Sequence, residues 1–307
     1  MESNDDVNKN IKEFFPITRI ENSPIVIAVH GGGLITGNKD SLVDACESLR
    51  DNGIVCIAAS YKLSSLDSFL LQKVLILQIA LFLMMFVTVN ILIVRCIIIV
   101  LVIFITVFLL TRLLIIEGEE KNRHPVHILD LTKTIHEISQ RFPQSNIVLL
   151  GHSAGAHLVA LAATNTKFIL NIGGESLKDR IIGVVGISGV YSGKRLNDSV
   201  FARQFVSSVF SKTSGTNEIC SDAFSINFIT DKTPPFLIIN SVADFSLLSH
   251  SADFVKKLRE NNVYVETFLS DKNCHLSIKH RWSTSNKEIS DKVTDFILAR
   301  GVLAQKV

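Results

Sequence analysis

The chain has 307 residues, 47% hydrophobic and 20% charged, with a net charge of +2. That length supports a sizeable core and excludes a disordered chain or a small disulfide scaffold, and the weak, unclustered positive charge leaves no electrostatic footprint for nucleic acid. The five cysteines, Cys46, Cys56, Cys96, Cys220 and Cys274, form no C-x-x-C pair and read as reduced thiols, mostly core filler.

The polar start, with Glu2, Asp5 and Asp6, lacks the basic and apolar parts of a secretory signal, so the folded part is expected in the cytosol. Residues 1–23 read as a polar segment and 24–68 as the first part of a globular domain. A β-branched run at Ile25 to Val29 reads as a buried strand, and His30-Gly31-Gly32-Gly33 follows it directly. Glycines let backbone N–H groups approach a substrate closely and point at a developing oxyanion. No G-K-S/T follows and the glycine spacing fits no dinucleotide fingerprint, so a phosphate loop is the poorer reading. Helical spacing over Asp40 to Asp51 and a second strand at Ile54 to Ala59 complete this part.

From Phe69 to Ile116 the composition changes abruptly: 39 of 48 residues are hydrophobic and only Lys73, Arg95 and Arg112 are charged. A bilayer is crossed by about 20 apolar residues. Strands before and after the block must join one sheet on one side of the membrane, which requires an even number of crossings. The expected arrangement is two helices, about Val74 to Val94 and Cys96 to Ile116, turning near Asn90 to Arg95; a hairpin dipping into one leaflet or lying against the lipid is the alternative. Lys62, Lys73, Arg112, Lys121 and Arg123 flank the domain side against Arg95 alone at the turn, so the domain is expected to face the cytosol.

Residues 117–307 return to strand and helix alternation. Helical spacing runs over Ile128 to Arg141, followed by a strand at Ile147 to Leu150 and then Gly151-His152-Ser153-Ala154-Gly155 at the start of a helix at Ala154 to Ala163. This is the strand-to-helix setting of a G-x-S-x-G nucleophile elbow. Gly32, Gly33 and the N–H of Ala154 are the expected oxyanion donors, with Gly31 as substitute if the loop register shifts by one. A strand at Ile181 to Ile187 precedes residues 191–232, a Ser-, Asn- and Phe-rich stretch that fits neither period and reads as a lid, where Phe201, Phe205 and Phe210 have helical spacing.

A serine nucleophile needs a base, and the base an acidic orienter. Asp244 follows a strand at Phe236 to Ile239, and His275 follows one at Val263 to Leu269, giving the chain order Ser153, Asp244, His275. Asp271 and Asp231 are weaker acids because they lie beside the wrong strand ends, and His250 and His280 fall within or beyond the helical segments Ser249 to Asn261 and Lys287 to Arg300. His124, His127 and Asp130 have the spacing of a metal cluster, but the chemistry needs neither metal nor cofactor. Asn197-Asp198-Ser199 is a glycosylation sequon by pattern alone. Alternating strands and helices mean a mostly parallel sheet covered on both faces, with chemistry beyond the carboxyl ends of the strands.

With these residues in hand, the sequence resembles the α/β-hydrolase superfamily. The likeness is to its serine esterases with an HGG-type loop: hormone-sensitive-lipase-like carboxylesterases, prenylcysteine methylesterases and kynurenine formamidase-like enzymes. It covers about Pro24 to Lys62 and His124 to Arg300. Ser60-Tyr61-Lys62-Leu63-Ser64 resembles the family's S-Y-R-L-S/A element, and His124-Pro125 with Asp130 resembles its H-P-x-x-x-x-D helix start, which implies a structural role there rather than a metal site. The two elements are normally almost adjacent; here the apolar block separates them. The short amino end leaves little room for the family's opening β-hairpin. The expected function is a membrane-anchored serine hydrolase acting on a small-molecule or lipid ester, with the lipid bilayer as partner. The other class is a catalytically silent membrane-bound binding or scaffold module, since fold alone does not imply activity.

Overall fold

The strand runs that carry the sheet alternate strictly between two apolar layers. Ile25, Ile27 and Val29 face one cluster and Val26 and Ala28 the other; Ile147 and Leu149 are likewise divided from Val148 and Leu150, and Phe236 and Ile238 from Leu237 and Ile239. A period of two with both faces apolar is the pattern of strands buried between helical layers. The computed structural model describes residues 10–64, 122–196, 209–210, 220–244 and 247–305.

In chain order the elements are β1 (Ile11–Phe14), β2 (Ile25–Val29), α1 (Val43–Asp51), β3 (Cys56–Ala59), α2 (Val126–Arg141), β4 (Ile147–His152), α3 (Ala154–Thr164), α4 (Lys167–Arg180), β5 (Ile181–Ile187), the single turn α5 (Gly193–Leu196), β6 (Phe236–Ala243), α6 (Leu247–Glu260), β7 (Val265–Cys274) and α7 (Lys287–Ala304). Among the described residues the sheet has seven strands, in the order β1-β3-β2-β4-β5-β6-β7. Only β1 runs antiparallel, pairing Ile11 to Phe14 with Ala59 to Cys56. One layer packs Ile128, Leu131 and Ile135 of α2, Leu158 of α3 and Phe254 of α6 on the sheet. The opposite layer is formed by Ala45 and Leu49 of α1 with Ile289, Val293 and Phe296 of α7.

Two elements depart from the sequence expectations. The polar amino-terminal segment contains an edge strand, β1, and α4 lies between the helix at Ala154 to Ala163 and the strand at Ile181 to Ile187, where no element is expected. Strands β6 and β7 also run further than their apolar cores, to Ala243 and Cys274, so that Asp244 and His275 each follow a strand end directly. The proposed membrane hairpin at Phe69 to Ile116, the sequon at Asn197, Cys96, Phe201 and Phe205 lie outside the described residues. Among the described residues no helix is long and apolar enough to cross a membrane. Within residues 191–232, Phe210 is buried and meets His157 of α3 edge-on, with ring centroids 5.3 Å apart. None of the four described cysteines forms a disulfide; Cys46, Cys56 and Cys220 are buried, whereas Cys274 is exposed and fills no core.

Five of the described histidines are buried, His30, His127, His152, His157 and His250. Burial lowers His30 and His127 to about 4, and His152 and His157 to about 3. The unfolded chain binds protons at these positions near the ordinary histidine value of 6.5 while the folded chain does not. Their contribution to stability is therefore complete above about pH 7 and is lost as the pH falls toward the folded values. We expect the melting temperature at pH 5 to lie at least about 10 °C below that at pH 7.5 in a thermal denaturation series. Equal melting temperatures would show that the four rings are hydrated or paired in the folded chain.

Candidate active site

Parallel strands bring their carboxyl ends to one edge, and the turns after β2, β4, β6 and β7 meet there. At the end of β4 the chain reverses into α3 through Ser153, which has φ 54° and ψ −117°. A non-glycine residue in that region is held by its surroundings. Here the Ser153 N–H donates to the Ile187 carbonyl at 2.8 Å, and its own carbonyl accepts from His157 N–H at 3.1 Å. Gly155 permits the turn to press on β2: a Cβ there would collide with the Val29 carbonyl oxygen.

The Ser153 hydroxyl lies 3.0 Å from Nε2 of His275, and Nδ1 of His275 lies 3.0 Å from Oδ1 of Asp244. A carboxylate only accepts, so Nδ1 carries the proton and Nε2 presents its lone pair to the serine O–H. The His275 side chain is 27% exposed while that of Asp244 is fully buried. The second carboxylate oxygen accepts from Ser188 Oγ at 2.6 Å, Asn240 Nδ2 at 3.0 Å and the Ser241 N–H at 2.8 Å. Burial by itself raises the Asp244 pKa, but the hydrogen bonds from His275, Ser188, Ser241 and Asn240 outweigh it and hold the group below its ordinary value.

The glycine loop after β2 borders this chain of groups. A Cβ on Gly31 would sit 2.9 Å from the Cβ of Ser153, so the loop touches Ser153 directly. Gly32, at φ 112°, opens a turn in which its carbonyl accepts from Ile35 and Thr36, and Gly33 continues at φ 64°. Ala154 is the first residue of α3, where N–H groups have no partner inside the helix. Ser153 is thus bordered by Gly31 on one side and by the amino end of α3 on the other, and Gly32 and Gly33 continue the loop from Gly31.

The weaker acids lie elsewhere: Asp271 is exposed, and exposed Asp231 lies in the turn before β6, at the opposite edge. His250 is buried in α6, and exposed His280 stands 3.4 Å from Asp44. His124, His127 and Asp130 face three different partners. His124 lies 3.3 Å from Asp222, His127 2.8 Å from Ser64, and Asp130 accepts the Lys62 N–H at 2.9 Å.

Several supporting residues carry no sequence signal of their own. His152 donates its Nε2 proton to the His275 carbonyl at 2.8 Å, with the two rings 5.0 Å apart. Asn273 reaches Ser270 and Asn286, both at 2.8 Å, and Asn286 donates to the carbonyls of Ser277 and His280 at 3.1 and 2.7 Å, which ties the loop that carries His275 to α7. Only the x in G-x-S-x-G points toward any of them, through its adjacency to the serine.

The sequence model of the BD-FAE family, a hydrolase family, matches residues 120–258, less than half of the chain; Ser153 and Asp244 fall inside the match. No curated protein matches the sequence. Esterase B from Lactobacillus rhamnosis aligns with 100% of this chain and 85% of its own, at 17% identity and a TM-score of 0.64. Brefeldin A esterase, described as a bacterial homologue of human hormone-sensitive lipase, aligns over 95% and 73%, at 14% identity and a TM-score of 0.63. An acetyl ester-xyloside bifunctional hydrolase from Caldicellulosiruptor lactoaceticus aligns over 98% and 94%, at 16% identity and a TM-score of 0.59. With its strand order, its elbow after β4 and this likeness to esterases of known structure, the chain has the α/β-hydrolase fold.

Proposed function

We propose that the protein is a membrane-anchored serine carboxylesterase. The observation that carries the reading is the continuous path from Asp244 through His275 to Ser153, with both contacts at 3.0 Å. His275 removes the Ser153 proton as the serine oxygen attacks the ester carbonyl. Asp244 orients the ring and stabilises the imidazolium that forms. Backbone N–H groups of Gly32, Gly33 and Ala154, or Gly31 in place of a loop glycine, stabilise the oxyanion, a contribution of about 3 to 4 kcal/mol per donor. His275 then protonates the departing alcohol, and water activated by the same ring clears the acyl-enzyme. The structural likeness to esterases favours an ester over an amide.

A fluorophosphonate probe should label Ser153 of the folded protein, and Ser153→Ala, Asp244→Asn and His275→Ala should each reduce hydrolysis of short p-nitrophenyl esters by about a thousandfold or more without unfolding the domain. Absence of labelling on folded protein would favour the silent scaffold. Near wild-type turnover in Asp244→Asn, with loss in Asp271→Asn, would transfer the acid role.

The anchor is the apolar block, with the domain on the cytosolic side. In support, the chain on either side of the block meets at one place: Asn122 Nδ2 donates to the Leu63 carbonyl at 2.9 Å. A hairpin with an even number of crossings suits ends joined in that way. In a eukaryotic host Asn197 should stay unglycosylated, and a glycosylated Asn197 would reverse the orientation.

The chain that leads toward the block meets the glycine loop, where the Ser64 N–H donates to the Leu34 carbonyl at 2.7 Å, which favours an ester that partitions into the bilayer, such as an acylglycerol, a sterol ester or a prenylcysteine methyl ester. Replacing Phe69 to Ile116 by a short Gly/Ser loop should preserve cleavage of a soluble ester while lowering activity on bilayer-embedded esters about tenfold or more, compared at equal amounts of folded enzyme. An equal loss on both substrates would leave the block as a tether alone.

A further inference from the structure

The glycine loop is braced by the chain that leads away from β3, through residues that the reaction above does not use. Beyond Gly33 the backbone stays left-handed at Leu34, with φ 66° and a side chain 2% exposed. A leucine keeps that conformation where its neighbours fix it. The fixing contact is made to its carbonyl, which accepts the Ser64 N–H at 2.7 Å.

Ser64 is held in turn by its hydroxyl, 2.5 Å from the Asn122 carbonyl and 2.8 Å from Nε2 of His127. The carbonyl only accepts, so the hydroxyl proton points at Asn122, and the Nε2 proton of His127 is donated to Ser64 Oγ. Ser64 and His127 are 4% and 1% exposed, so water does not compete for these groups. The same stretch meets the loop a second time at its start. Tyr61 stacks on His30 with centroids 4.4 Å apart, and its O–H donates to the His30 carbonyl at 3.2 Å.

We propose that Ser64 and His127 are positioning residues for the oxyanion hole: His127 holds the Ser64 hydroxyl, the Ser64 N–H holds the Leu34 carbonyl, and the N–H groups of the preceding glycines thereby stay aimed at the reacting oxygen. The proposal rests on the reading of that loop as the source of oxyanion donors. Donors fixed before the reaction stabilise the transition state more than the bound ester, so loosening them lowers kcat and leaves KM nearly unchanged.

The test uses the full chain in detergent or vesicles, with active sites titrated by fluorophosphonate so that rates refer to competent enzyme. Ser64→Ala should lower kcat on a short p-nitrophenyl ester, and the second-order rate of phosphonylation, by about tenfold, with KM within about twofold. Ser64→Thr, which keeps the hydroxyl, should recover at least about half of the rate, and His127→Phe should repeat the Ser64→Ala defect without adding to it in the double variant. Should Ser64→Ala fail to fold, His127→Phe and His127→Gln supply the comparison, since glutamine retains an N–H donor. The proposal is overturned by a kcat per titrated site within about twofold of wild type, or by a loss confined to the titratable fraction, which marks a structural role only. A wild-type chain that is neither labelled nor active overturns the esterase reading itself, and that result is read before any variant is compared.

Discussion

A carboxylate sealed from water costs several kcal/mol unless its lone pairs are filled, and Asp244 imposes that cost at the centre of the carboxyl edge. Much of the surrounding structure follows from filling it. Ser188 comes off β5 with φ 52°, which lets its hydroxyl reach Oδ2 while its N–H donates to the Ile239 carbonyl at 2.8 Å. Asn240 and the Ser241 N–H come from the last turns of β6, and His275 is presented by a β7 that outruns its apolar core. Asp244 is therefore held by strands on both sides of its own, and His275 takes its position from Asp244.

The same edge concentrates conformational strain. Leu34, Ser153 and Ser188 follow β2, β4 and β5, and all three have positive φ. Each costs about 1 to 2 kcal/mol relative to ordinary backbone. The cost is offset by strands such as β2 and β4, whose residues are wholly buried between two apolar layers. Stability sits in the middle of the sheet and strain at its carboxyl edge, so the reacting groups are held by over-determined backbone rather than by flexible loops.

What could be read from the sequence was whatever has a local signature. The apolar strand cores and the Gly-His-Ser-Ala-Gly turn each occupy a few consecutive residues, Asp244 and His275 each stand just beyond an apolar run, and alternation alone separates the two sheet faces. β1 escaped because Ile-Lys-Glu-Phe puts Ile11 and Phe14 into opposite apolar layers, a pattern that four residues are too few to display. α4 escaped because Gly173 and Gly174 interrupt it, the second with φ 65° and ψ −169°. The support of the site was hidden for a different reason. His152 with the His275 carbonyl, Asn273 with Asn286 and Ser64 with His127 are polar pairs set by tertiary approach, and no spacing along the chain encodes them.

The junction at Leu63, Ser64 and Asn122 bears on how such a chain can vary. Two chain ends already hydrogen-bonded to one another present the sheet with a closed loop, whatever is mounted beyond them. Doubling the length of a flexible loop costs only about 0.6 kcal/mol in closure entropy, so the content of that loop is nearly decoupled from the stability of the fold beneath it. Segments of very different length and polarity can be exchanged at this point without altering strand order or register. The junction behaves as a socket, and what is mounted in it can change while the sheet keeps its geometry.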